Sequence, residues 1–149
     1  MRFMAAGVLV GLLGACSSAP PEAAPLDTRN DVCGTCRMTV SSAKFAAQIV
    51  APGELPVFFD DIGCLVRYLS EHGASARNAV AFVADHRTGA WSLLETAVFT
   101  RAASVETPMG SHLLAHATPA SRDADPAARG GVDVPRTQVS GSLVREGTR

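Results

Sequence analysis

Apolar and polar positions change their spacing several times along the chain, and each change predicts a different element. Near the amino terminus Val8, Leu9, Val10, Leu12 and Leu13 form a short unbroken apolar run. Such a run is too short to span a bilayer, which needs about 20 apolar residues. Asp31 to Cys36 reads as a turn that becomes a strand at Met38–Val40, and Phe45–Val50 is compatible with a strand that Pro52-Gly53 ends. Val57-Phe58-Phe59 reads as a short buried strand. Asp60-Asp61 then supplies an N-cap for a helix from Ile62 to about His72, closed by Gly73. On that helix Ile62, Leu65, Val66 and Leu69 share one face, and Cys64 points away from it. Ala79–Asp85 and Ala90–Leu94 read as strands joined by a hairpin turn at His86-Arg87-Thr88-Gly89. Glu95–Thr100 suits a helix or a strand, Thr107-Pro108-Met109-Gly110 is a loop, and His112–His116 is again strand-compatible. Short strands mixed with one or two helices imply an α+β fold rather than a parallel sheet.

The flanks have a different character. Residues 1–15 have the shape of a secretory signal peptide, although Arg2 is its one basic residue. Leu13-Gly14-Ala15-Cys16 resembles a bacterial lipobox, in which cleavage precedes a Cys that carries lipid. The expectation is a mature protein that starts at Cys16 and is anchored to a membrane, with residues 16–30 as a Pro-stiffened tether. The folded domain is expected over 31–118. Residues 119–149, rich in Ala, Asp, Arg, Gly, Ser and Pro, are expected to be of low order, apart from a short extension through Gly131 to Val139.

Charge adds an exclusion. With 13 Lys+Arg against 14 Asp+Glu there is no basic field, so electrostatically driven nucleic-acid binding is disfavoured. The hydrophobic share of 47% is partly the amino-terminal run and Ala, so the core is smaller than it suggests.

The unusual resource is sulfur. Cys33-Gly34-Thr35-Cys36 followed by Met38 places two thiols and a thioether close together, and a C-x-x-C spacing lets both sulfurs reach one centre. If a strand followed, its alternation would put Cys36 and Met38 on one side. Cys64 lies in the first turn of the expected helix, where the dipole favours a thiolate. Thiolate and thioether together suit Cu(I), whereas zinc prefers thiolate and imidazole. The same spacing also serves a disulfide or a redox pair. Three readings therefore stay open: a copper site, a thiol-disulfide redox pair at Cys33/Cys36, and a structural zinc module of Cys33, Cys36, Cys64 and a His. His72, His86, His112 and His116 lie in or beside turns and read as solvated, with His112 retained as a candidate because it is close to Met109. No nucleophilic triad or phosphate-cradling glycine loop is visible, so the chain does not read as an enzyme.

Taken together, D-x-C-x-x-C-x-M (Asp31 to Met38), A-A-Q-I (Ala46 to Ile49), F-D-D-I-G-C-L (Phe59 to Leu65), the Trp91 strand and T-P-M-G-S (Thr107 to Ser111) resemble the NosL family in content and order. That family comprises periplasmic copper lipoproteins that assist maturation of nitrous oxide reductase. The resemblance implies a fold of two small ββα-like modules in one compact domain, similar to the organomercurial lyase accessory fold. It implies Cu(I) as the bound ion, with Cys36, Met38 and Met109 as leading ligands and Cys64, Cys33 and His112 behind them. It also implies partners: nitrous oxide reductase or a related copper enzyme, and a membrane ABC-type assembly complex. The chain departs from the family where Arg37 and His112 stand in place of Gly, and where Pro126 interrupts the carboxy-terminal helix of relatives.

Overall fold

The computed structural model describes residues 21–73 and 79–141. The expected signal peptide and lipid-bearing Cys16 lie outside them. The fold is α+β, with two antiparallel sheets. The first contains β1 (Ala47–Val50), β2 (Val57–Phe59), β3 (Val80–Ala84) and β4 (Trp91–Leu93) in the order β2-β1-β3-β4. The second contains β5 (Val98–Arg101), β6 (Leu113–His116) and β7 (Val132–Val134) in the order β6-β5-β7. Among the described residues, no helix is long and apolar enough to cross a membrane.

The first sheet is buried on both faces, because alternation sends its residues two ways. Ala47, Phe59 and Val83, aligned by register across β1, β2 and β3, join the main core beneath helix α1 (Ile62–His72). On the opposite face Phe58 packs with Val40, Ala46 and Trp91 beneath Ala24 and Leu26. Gln48, fully buried on that side, accepts from the Ala24 amide at 2.8 Å and donates to the Ala24 carbonyl at 3.0 Å. Part of the expected tether is thus docked on the sheet.

Helix α1 begins where Asp61 accepts a hydrogen bond from the Gly63 amide at 2.6 Å, and it ends at Gly73, whose φ is 64°. Its buried residues are Ile62, Cys64, Leu65 and Leu69. Two expectations need correction, and one open reading is decided. Met38–Val40 forms no strand, only a single bridge between Val32 and Thr39, because Arg37 at φ 66° turns the chain back so that Met38 O accepts from Cys33 N. The ambiguous segment Glu95–Thr100 supplies a strand, β5. Residues 119–141 carry regular structure: helix α2 (Pro119–Asp123), a 3-10 turn at Pro126–Ala128, β7, and helix α3 (Arg136–Ser140) packed on α1. Two side-chain caps account for much of this, Thr118 accepting from Ser121 N and Asp125 from Ala127 N, each directly before a Pro.

Candidate metal centre

Two segments distant in sequence build the sulfur site. In the turn Cys33–Met38, Arg37 N donates to Cys33 O at 3.1 Å and Cys33 N to Met38 O at 2.8 Å, which closes it. Gly34 lies against β2, its amide 2.8 Å from Phe58 O. A Cβ there would sit 2.6 Å from Val57 Cγ1, so a side chain would push the turn off the sheet. The Thr35 hydroxyl donates to the Cys64 carbonyl at 2.8 Å and ties the turn to α1. With turn and helix held together in this way, Cys33, Cys36 and Cys64 bring their sulfur atoms within 4.8 Å of one another. All three are free thiols; Cys33 and Cys64 are buried and Cys36 is partly exposed.

A third segment closes over this cluster. Asp61, which caps α1, also accepts from Thr107 Oγ1 at 2.6 Å and from the Met109 amide at 3.1 Å. A cavity of about 180 Å³ results, lined by Thr35, Cys36, Gly63, Cys64, Arg67 and Met109. Gly63 makes this closeness feasible, because a Cβ there would lie 2.8 Å from Ser111 Cβ. Met109, one of the leading candidates, therefore faces the same cavity as two of the thiols. Met38 is half exposed at the end of its turn and is not part of the cavity wall. His112 is turned elsewhere: its Nδ1–H donates to the Val105 carbonyl at 2.8 Å and its amide to Thr107 Oγ1. Like Arg37 it adopts a left-handed backbone, φ 57°, a conformation that glycine takes without steric cost.

The thiols differ in their readiness to ionise. Burial raises the pKa of Cys33, but backbone N–H groups of Asp60, Cys36 and Thr35 and the Cys36 thiol stabilise its thiolate and bring it below the ordinary value. Burial and the neighbouring Cys33 push Cys36 up, against the Met38 N–H that lowers it. Cys64 is pushed up strongly by burial first and then by Cys33 and Cys36. The helix dipole therefore does not make Cys64 the thiolate, as its position in the first turn suggested. Cys64 is also not directed away from the apolar core, because the C-x-x-C turn covers the second side of the helix. The pattern is one thiol that ionises more readily than its two neighbours, in a cluster compatible with metal binding.

Sequence reasoning missed Arg67 in the cavity wall. It stands one turn after Cys64 on α1 and pairs with Glu71 at 3.1 Å.

A family model described as NosL matches residues 25–144. Among curated proteins and among solved structures, nothing matches the chain significantly.

Proposed function

The chain belongs to the NosL family, and from that premise we propose that it is a Cu(I) chaperone which binds copper at the sulfur cluster and passes it to a partner by ligand exchange. The observation that carries this reading is the convergence of the Cys33, Cys36 and Cys64 sulfurs beside a cavity that Cys36 and Cys64 line together with Met109. Cu(I) is soft and is selected by thiolate and thioether donors. Cys33 is the thiol of the three whose ionisation the folded protein favours most. Cys36, partly exposed, is the thiol an incoming ligand reaches, and the Met109 thioether completes the set from the loop. Met38, outside the cavity wall, is a donor that a partner meets early.

Exchange one ligand at a time allows tight holding together with transfer, because free copper is never released. Thioethers suit an oxidising compartment because they form no disulfides. The protein is no enzyme in this reading. It sits as a lipoprotein on a membrane facing the periplasm, where the anchor raises its effective concentration near an ABC-type assembly complex and nitrous oxide reductase. The more readily ionised thiol, Cys33, is the buried one, while the reachable Cys36 is held back from ionising, a mismatch that weighs against a thiol-disulfide oxidoreductase.

Competition of the reduced protein against a chromophoric Cu(I) chelator tests the proposal. One tight equivalent per chain, lost in Cys36→Ser and weakened in Met109→Leu, is the expected result. Tight zinc with negligible Cu(I) uptake would favour a structural zinc module and overturn it.

A further inference from the structure

A second cluster of metal-type donors lies outside the sulfur site. His86 stands in the β3–β4 turn, His116 ends β6, and Asp125 caps the 3-10 turn after α2, so two sheets and the carboxy-terminal segment meet there. The donor atoms of the three lie within 4.8 Å of one another. His86 Nδ1 is 2.6 Å and His116 Nε2 2.9 Å from the same oxygen, Asp125 Oδ2. His116 is wholly buried and its Nδ1 has no partner, and Asp125 is 4% exposed. The His86 ring, 5.1 Å from that of Phe45, keeps an edge open to solvent. The sulfur site borders β2 at the edge of the first sheet, and this cluster follows β3 two strands away.

We propose that His86, His116 and Asp125 form a second metal site, for a divalent cation of the zinc class. Two imidazoles and a carboxylate are the donor set of open zinc sites, which leave a fourth position for water or an outside ligand. A hydrogen-bonded clasp between β6 and the 3-10 turn needs one imidazole; here two converge on one oxygen. Metal–nitrogen and metal–oxygen bonds of about 2.0–2.1 Å in a tetrahedron put ligand atoms roughly 3.3 Å apart. The gaps from Asp125 to His86 and His116 would therefore open by only about 0.7 and 0.4 Å, within the reach of small side-chain rotations. Asp125 Oδ1 is already fixed by the Ala127 amide at 2.9 Å, which aims Oδ2 at the two rings. The nearby Asp85 is not a ligand, since Arg87 N, Thr88 N and Thr88 Oγ1 occupy its Oδ1 and Ala117 N occupies Oδ2. A thiol-free donor set keeps this site apart from soft Cu(I).

Titration of the full reduced chain with Co²⁺, followed by Zn²⁺ displacement, tests this by visible absorption, because thiolate sites show an intense charge-transfer band and nitrogen-oxygen sites do not. The expected result is one equivalent of ligand-field absorption without that band, displaced by Zn²⁺ and unchanged in Cys36→Ser. His86→Gln retains an N–H for Asp125 but removes the imidazole, so the fold should persist by circular dichroism while affinity falls at least tenfold. Absence of the ligand-field absorption, its appearance only together with the thiolate charge-transfer band, or an equal affinity in His86→Gln overturns the second site whatever the Cu(I) titration gives.

Discussion

Substituting Asp61 by Asn isolates the group that joins the two halves of the sulfur site. The carboxylate accepts from Gly63 N, Thr107 Oγ1 and Met109 N, so one side chain starts the helix that carries Cys64 and holds the loop that carries Met109. An amide has one acceptor oxygen, and its NH₂ would face a donor. At least one buried N–H is then unpaired, at about 1–3 kcal/mol, and the remaining bonds lose their charge assistance. A total of about 2–3 kcal/mol is reasonable, which corresponds to a fall in Tm of roughly 6–15 °C for a domain of this size. Cu(I) affinity should fall about tenfold, the equivalent of about 1.4 kcal/mol, because Met109 is no longer held over the thiols. The stability loss should also depend on pH. Burial raises the pKa of Asp61, but bonds from Ser111, Thr107, Gly63 and Met109 outweigh it and leave the folded pKa below the ordinary value. A depressed carboxylate contributes its full stability above the unfolded pKa near 4 and loses it as pH falls through the folded pKa. Thermal melts of both proteins should therefore differ most near neutral pH and converge in acid. Equal Tm values at pH 7 would refute the anchoring role. A large Tm loss with unchanged Cu(I) affinity would remove the Met109 loop from the site.

Arg37→Gly should stabilise the chain by about 0.5–1 kcal/mol in a denaturant titration, because a left-handed L-residue costs about 1–2 kcal/mol and glycine gives back part of that in entropy. Gly63→Ala should lower Tm despite the better helix propensity of Ala, since its Cβ meets Ser111 Cβ at 2.8 Å, an overpacking cost of about 1–3 kcal/mol. Competitive chelator titration should show Met109→Leu losing about tenfold in Cu(I) affinity and Met38→Leu losing less. Melts should leave both near wild type, since both side chains are about half exposed.

Helix α1 was legible because three signals agree there: apolar spacing at 62, 65, 66 and 69, a capping Asp61 and a terminal Gly73. Strand β2 was legible as a short unbroken apolar run, and β3 with the hairpin before β4 by alternation, each bounded by turn residues. The strand expected at Met38–Val40 failed on one residue, because a positive φ at Arg37 is a tertiary outcome that no pattern of side chains announces. β7 was only a short possible extension in the sequence, because Val132 and Val134 are two apolar positions in a polar stretch that gains its order by pairing with β5. The C-x-x-C spacing pointed to Cys33 and Cys36. Cys64 was underrated because a helical wheel assumes one buried side, and the turn at 33–38 buries a second. His116 and Asp125 carry no local pattern at all; a strand end and a capped turn meet only once both sheets are formed. The carboxylate itself reports that meeting: burial raises its pKa, but hydrogen bonds from His116, His86 and Ala127 bring it down to about 2.

Copper-edge X-ray absorption of the Cu(I)-loaded protein tests the central claim most directly. Sulfur alone should fill the first shell, and the spectrum should change in Cys64→Ser and in Met109→Leu. A shell dominated by nitrogen or oxygen, or a spectrum indifferent to both substitutions, would contradict it.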